Sequence, residues 1–420
     1  MFNERNVTYI NRQALWEYYN THLSQAFDVG YNVDSKFYDE ELARSLKNNI
    51  AKFSAFKETS FKTQMEASLT ENGKVVPWSE FKKKAAELNV EYNKRWLKTE
   101  YHHTVATANS VDKWKGFEAD ADLYPNLKYN AVNDARTREK HKALDGLILP
   151  INHPFWKTHN VPLDWGCRCN LEQTDEEVSK VIPELNIKDA FKNNAALSGE
   201  IFGEIPYANG MSKTQIKESE ANAENFNTKK DYETLNKVDI FKENMQDLKN
   251  NIKEVYPKID IEKINSVNMY SGTYYSEINK FNRGVLDAGG YFPEFGVTKE
   301  FYRALTRTIN KALDEIPDKF IGDVYRGVEL TRSQVEPYRK AFENGSVFIE
   351  KGFTSTSSNI KEAFDGNIKF LIKSKTGTRI EKISGVTKEE EVLFKSGQKF
   401  KITKFTELEG DIYNIEMEEI

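Results

Sequence analysis

The chain has 420 residues, 39% of them hydrophobic and 12% aromatic, which is enough for more than one core, so two or three domains are expected. Its charged residues, 30% of the total, nearly cancel to a net charge of −5, which argues against a broadly basic surface and leaves only a local patch for nucleic acid. No basic-then-apolar pattern follows Met1 and no apolar run is long enough to span a bilayer. The expectation is therefore a protein without membrane segments that stays in the cytosol of its maker, or leaves by a route that reads no N-terminal signal.

From about residue 34 to 116 the pattern is helical. Leu42, Leu46, Ile50 and Phe53 repeat at helical spacing, and after the Asn72 and Gly73 turn Trp78, Phe81, Ala85, Leu88 and Tyr92 alternate steps of three and four. Such stripes are packing surface, predicting a long helical arm or bundle suited to docking. Composition changes between Leu123 and Asn170, where Pro125, Pro150, Pro154, Pro162, Gly146 and Gly166 predict a small loop-rich unit. Three of the six histidines, His141, His153 and His159, fall there with the only two cysteines, Cys167 and Cys169. One residue apart, the cysteines are poorly placed to bridge each other. Two readings stand: a tetrahedral zinc site drawing on Cys167, Cys169, His141 and His153, although Cys-x-Cys is tighter than the usual finger spacing, or reduced cysteines in a tight turn with Arg138 and Arg168 bridging to carboxylates such as Asp145.

The order Arg136, Thr137, Arg138, His141, Leu144, Asp145, Gly146, then a loop with Pro154 and Trp156, then Cys167, Arg168 and Cys169, resembles the phage Mu F-like head morphogenesis family of minor capsid proteins. The resemblance covers about Tyr92 to Glu177. It implies a virion component that joins the head near the portal, with portal and head proteins as partners and contact with packaged DNA. It brings no catalytic residues.

Residues 187–235 are poor in apolar pattern and rich in Asn, Lys, Glu and Ala, and read as a linker. A helix is expected over Val238–Tyr256 and another over Thr298–Glu315, the latter capped by Thr298, striped by Phe301, Leu305, Ile309 and Ala312, and stopped by Pro317. Beyond Phe320 the period becomes two, with strands expected over 323–327, 346–349, 352–357 and 368–372. Near the end, Glu389, Glu390 and Glu391 run into Val392, Leu393 and Phe394; the turn residues Lys395, Ser396 and Gly397 then predict a hairpin with the segment of Phe400 and Ile402. A strand beginning near Glu389 would put Glu389 and Glu391 on one face. Helices followed by antiparallel strands make an α+β domain. Arg326, inside an apolar strand, calls for a bidentate anion or an ion-pair partner. Ser355 and Ser357 share a face and need acceptors, which a carboxylate on a neighbouring strand would supply.

Arg326, then Gly352, Phe353 and Thr354 leading into Ser355, Thr356 and Ser357, then Glu389-x-Glu391, with Tyr270, Ile278, Asn279 and Arg283 upstream, is similar to the mono-ADP-ribosyltransferase toxins of the Arg, Ser-Thr-Ser, Glu-x-Glu class. The resemblance covers about Val238 to Ile420 and implies NAD as substrate and an arginine of a target protein as acceptor. It makes Glu391, Glu389, Ser355 and Arg326 catalytic, and Arg326, Gly327, Tyr270, Asn279, Arg283, Phe364 and Ser357 NAD-binding. Glu391 would face the positive charge that develops at the ribose as nicotinamide leaves; a carboxylate about 4 Å away at an effective dielectric near 20 is worth about 4 kcal/mol, about three powers of ten in rate. Glu389 would orient the acceptor guanidinium. The loop from Ser358 to Asn367 keeps Phe364 but lacks the arginine many relatives carry, leaving Lys361 and implying weaker NAD affinity.

The sequence thus predicts a multi-domain chain: a minor-head-protein-like domain over 1–186, helical and then loop-rich α+β, a linker over 187–235, and an α+β ADP-ribosyltransferase domain over 236–420. The expected activity is arginine-directed mono-ADP-ribosylation with NAD glycohydrolase as a side reaction, by a protein of the virion and the bacterial host cytoplasm. Two other readings are a structural portal-proximal protein with a catalytically silent transferase fold, and a bacterial toxin with a zinc-stabilised delivery domain.

Overall fold

In a computed structural model, described over residues 9–251, 255–385 and 390–420, the chain divides into two units, Met1–Asn227 and Thr228–Ile420. The first is built on helices α1 (Tyr9–Gly30), α2 (Glu40–Ala67), α3 (Trp78–Val90) and α4 (Leu97–Ala119). Helix α2 starts where Asp39 accepts hydrogen bonds from the backbone N–H groups of Glu41 and Leu42. Between α2 and α3 a two-residue turn at Asn72 and Gly73, both at positive φ, closes a short hairpin. Helix α1 lies before the stretch read as helical, yet Trp16, Tyr19, Leu23 and Phe27 follow the same three-and-four step and are buried. Three short strands follow, β1 (Asn126–Asn130) between β2 (Ile148–Pro150) and β3 (Asn170–Thr174), all antiparallel.

The stretch read as a linker is folded. Ile187, Phe191, Ala195, Ala196, Ile201 and Phe202 are buried in the first unit's core, with Phe202 stacked on Phe53 of α2 at 3.7 Å between ring centroids. Residues from Lys213 onward form helix α5 (Lys213–Leu235), inside which the two units divide. Its apolar residues are few, but Phe226 and Ala223 pack on Trp16, Ala51 and Ala55. A low apolar count hid a segment that contributes a handful of large, well-spaced side chains to an existing core.

The second unit has helices α6 (Asp239–Asn251), α7 (Ile261–Met269), α8 (Tyr275–Asn282), α9 (Lys299–Glu315) and α10 (Arg332–Glu343). Thr298 caps α9 through the Phe301 N–H, and the chain leaves the helix at Ile316 before Pro317, as the sequence predicts. Its strands are β4 (Lys319–Val328), β5 (Val347–Glu350), β6 (Thr354–Ser357), β7 (Ile368–Arg379), β8 (Glu391–Phe394), β9 (Gln398–Leu408) and β10 (Ile412–Glu419). They form one sheet in the order β8-β6-β4-β7-β10-β9-β5, antiparallel except for the β7–β10 pair. β8 also pairs with β7, which closes β8, β6, β4 and β7 into a ring. The expected hairpin between the Val392 and Phe400 segments is absent: β8 pairs with β6 and β7, and β9 with β10 and β5. The turn between them is tied elsewhere, Ser396 N–H to Asn310 Oδ1, Ser396 Oγ to the Lys351 carbonyl and Gly397 N–H to the Glu350 carbonyl, so the chain is steered to the far end of the sheet.

Alternation divides the ring between two cores. Val392 and Phe394 join Val324, Phe370 and Ile372 on one side, whereas Leu393 and Phe353 join Ile264, Phe301, Leu305 and Ile309 of α7 and α9 on the other. Glu391 is two residues from Leu393 and so begins β8 on the helix-packed side.

Candidate functional site

β8 starts at Glu391, because Glu390 adopts a left-handed backbone, φ 44°, and breaks the strand. The strand alternation used to pair Glu389 with Glu391 therefore does not reach back past Glu391. Glu389 itself lies outside the described residues. Glu391 stands opposite Ser357 in the register, which makes Ser355 its diagonal neighbour on β6. Ser355 Oγ donates to Glu391 Oε1 at 2.7 Å, and Glu391 is only 4% exposed. Thr356, facing the other way, donates to the Val392 carbonyl at 2.7 Å, and Ser357 Oγ accepts the Asn359 N–H at 3.0 Å. The three hydroxyls thus have three tasks: one on the carboxylate, one locking β6 to β8, one starting the loop that follows.

Arg326 lies next on the sheet. Its Nη1 donates to the Ser355 carbonyl at 2.8 Å, and among the described residues this is its one hydrogen bond, so most of a half-buried guanidinium fork is left for a ligand. At Gly327 a Cβ would come within 1.7 Å of the Phe364 carbonyl, so only glycine lets the 358–367 loop lie against β4. Phe364 itself is 68% exposed.

The helical side of the site comes from the end of α7, a π-helical turn over Tyr270–Tyr274 and α8. Tyr270 is fully buried, its ring 5.0 Å from that of Phe353, and its hydroxyl accepts from Asn279 Nδ2 at 3.1 Å. Asn279 Oδ1 in turn accepts the Phe353 N–H at 2.7 Å, so one amide side chain straps α8 to the entry of β6. Burial, and then the charge of Glu391, raise the Tyr270 hydroxyl well above the usual phenol range, which keeps it protonated. Arg283 is paired with Glu350 at 3.0 Å; the same carboxylate accepts the Gly352 N–H at 2.9 Å and the Tyr338 hydroxyl at 3.2 Å. Burial, then the Glu350 charge, raises the Tyr338 hydroxyl as well.

Of the residues picked out from sequence, Arg326, Ser355 and Glu391 come together directly, and Tyr270, Asn279 and Arg283 gather on the facing helices. Phe364 and Ser357 hold or tip the loop beside Gly327, and Lys361 is exposed on it. Sequence reading missed Glu350 and Tyr338, which orient Arg283; a lone acid in an edge strand gave no signal. It also missed Glu390, whose carboxylate accepts from Ser358 at 3.1 Å and Asn359 at 3.4 Å.

In the first unit the cysteine and histidine candidates separate. His141 meets Cys167 and Cys169, at 3.6 and 3.8 Å from Nδ1 to each sulfur, whereas His153 accepts the Phe155 N–H at 3.2 Å and starts the short helix Pro154–Lys157 instead. Arg168 pairs with Asp134 at 2.7 Å and Arg138 with Asp164 at 3.3 Å, not with Asp145. Asp145 is taken by the Ala131 N–H and the Asn133 amide, which close its own loop.

Residues 41–172 match the Phage Mu protein F like protein family, and residues 205–420 match NAD:arginine ADP-ribosyltransferase. Residues of the first region are similar to the putative capsid assembly protein F of Escherichia phage Mu, 31% identical over 116 residues, 26% of each chain. An NAD(+)–arginine ADP-ribosyltransferase, EFV, of Enterococcus faecalis is 25% identical over 315 residues, 70% of this chain and 58% of the relative. The chain thus spans about a quarter of the first relative and little over half of the second. Among solved structures, the Vis toxin of Vibrio splendidus, an ADP-ribosyltransferase, aligns with 43% of this chain and 83% of its own at 26% identity and a TM-score of 0.32. With a match over half its length and a phage Mu F-like segment ahead of it, the chain belongs to the NAD:arginine ADP-ribosyltransferase family.

Proposed function

We propose that the second unit transfers ADP-ribose from NAD to arginine side chains of a protein and that the first unit docks it in a phage head near the portal. The observation that carries the activity is the Ser355–Glu391 hydrogen bond beside an Arg326 whose fork is largely unspent. Ser355 fixes the carboxylate on a rigid strand pair, so its charge is placed before the reaction begins and needs no reorganisation when positive charge develops at the ribose. Arg326 suits the diphosphate, since a planar fork matches phosphate oxygens two at a time. Tyr270, protonated and braced by Asn279, backs the site from within the core without adding a charge. Glu389 would align the incoming guanidinium and take its proton as the new carbon–nitrogen bond forms and the bond to nicotinamide breaks. Glutamate rather than glutamine at that place, and the acceptor named for EFV, favour arginine.

The test is transfer of labelled ADP-ribose from NAD by the full chain into bacterial host lysate, beside Glu391→Ala. Labelling that disappears in the variant and is released by hydroxylamine supports an arginine acceptor. A folded chain that neither labels protein nor hydrolyses NAD refutes the enzymatic reading and leaves a silent binding fold.

A further inference from the structure

We infer that His141, Cys167 and Cys169 bind one zinc ion whose fourth ligand is a water. Their three donor atoms lie within 4.8 Å of one another, and both sulfurs converge on the same nitrogen, His141 Nδ1, at 3.6 and 3.8 Å. One imidazole nitrogen carries a single proton or a single lone pair, so it cannot satisfy two thiols by hydrogen bonding; a cation among the three can. The spacing fits such an ion. With zinc–sulfur bonds of about 2.3 Å and zinc–nitrogen bonds of about 2.0 Å at tetrahedral angles, nitrogen and sulfur ligands sit roughly 3.5 Å apart.

The surroundings agree. The residue between the cysteines, Arg168, is engaged by Asp134, which leaves both sulfurs to face His141. His141 is buried, and among the described residues its other nitrogen, Nε2, has no hydrogen-bond partner, which leaves Nδ1 and the two sulfurs as the polar contacts of the ring. The hydroxyl of Tyr129 on β1 is buried against the Cys169 sulfur, a weak acceptor, and a water on the ion would offer it an oxygen instead. Cys167 and Cys169 line a cleft of about 450 Å³ together with Asn160, Ser110 and Lys113, through which that water would exchange. Two thiolates and one imidazole favour a soft or borderline cation over magnesium or calcium. Bound there, zinc would fasten the short helix Glu139–Lys142 to the segment entering β3, across loops that otherwise have few strand hydrogen bonds.

The experiment measures zinc in the full chain purified without chelator, then titrates the wild-type protein with a mercurial while a metallochromic dye reports released metal. One zinc per chain, freed in step with two reactive thiols, is expected, and cobalt exchanged into the protein should give a thiolate-to-metal charge-transfer band. His141→Ala and Cys169→Ser should lose at least nine-tenths of the metal, and His153→Ala should keep it. A folded wild-type chain that takes up no zinc from stoichiometric zinc salt overturns the inference, because this readout needs no variant to fold. Equal zinc in Cys169→Ser and wild type, or loss in His153→Ala matching that in His141→Ala, overturns the ligand set.

Discussion

Each unit buries charge, and the two do so to different ends. In the first, Lys57 is wholly buried and donates to both oxygens of Glu100, at 2.9 and 2.8 Å, and to the Tyr207 hydroxyl at 2.9 Å, with the rings of Tyr19, Tyr92 and Tyr207 around it. All three ammonium protons are spent. Arg12 grips both oxygens of Glu58 at 2.8 Å in the same closed fashion. In the second unit Arg326 spends one N–H on a carbonyl, and Glu391 is positioned by a hydroxyl at the first residue of a strand. Burial perturbs titration in both places, lowering Lys57 and raising Tyr270, so a shifted pKa alone does not separate them. What separates them is whether hydrogen-bonding capacity remains open for a ligand.

That contrast breaks most visibly by substitution on each side. Lys57→Met leaves Glu100 buried without its cation, which should cost about 3–5 kcal/mol of stability and leave the transferase rate unchanged; Lys57→Met with Glu100→Leu should recover most of the loss. Denaturant unfolding followed by tryptophan fluorescence measures it, and a change under about 1 kcal/mol would mean the pair is not the closed cluster described. Glu391→Gln should do the converse. The amide still accepts from Ser355, so the unfolding midpoint should stay near wild type, whereas transfer should fall about a thousandfold through a loss of about 4 kcal/mol at the transition state. Equal losses of stability and activity would erase the distinction.

How far each side was legible follows from its physics. The strand placement of the candidate residues was readable because alternation acts locally: Arg326, Ser355 and Glu391 sit on three strands that pair through β6. The partnership of β8 was not readable, since a short apolar run says nothing about which strand will receive it, and the nearest one in sequence was the wrong choice. The part Glu390 plays against Ser358 and Asn359 was not legible, because its left-handed backbone takes it out of strand periodicity. In the first unit the stripes of α2 and α3 were visible, but the burial of 187–202 depends on long-range contacts that composition does not encode. The Lys57–Glu100 pair forms only when α2 and α4 pack, and nothing local to either residue marks it.

Acid should sharpen the contrast further. His103 is buried among Trp165, Phe191 and Phe202, and burial lowers its pKa from 6.5 to about 4, with Asp164 opposing. A group whose folded-state pKa is depressed in this way stays neutral when folded, while the unfolded chain gains a proton as pH falls below 6.5. Its contribution is thus complete above about pH 6.5 and is lost progressively toward pH 4, about 2 kcal/mol being gone at pH 5. Unfolding midpoints at pH 7 and pH 5 for wild type and His103→Phe measure the effect. A similar fall in both proteins would assign it to other groups.

The smallest effect belongs to Glu350, which stands between the two patterns. Its carboxylate is nearly closed, one oxygen shared by Arg283 and the Gly352 N–H and the other by Tyr338, yet the Arg283 side chain it holds is 38% exposed. Glu350→Gln keeps an oxygen for one partner and removes the charge that aims the guanidinium. Were the pair architectural, stability would fall and kinetics would not. Since Arg283 reaches the same surroundings as Tyr270, the expected outcome is the reverse: KM for NAD rises several-fold, a change of about 1 kcal/mol, with kcat held within twofold because Glu391 and Ser355 are untouched. A fall in kcat at constant KM would instead place Glu350 with Glu391 in the role proposed for that carboxylate, and the division between closed and open charge would then have to be drawn on the far side of Arg283.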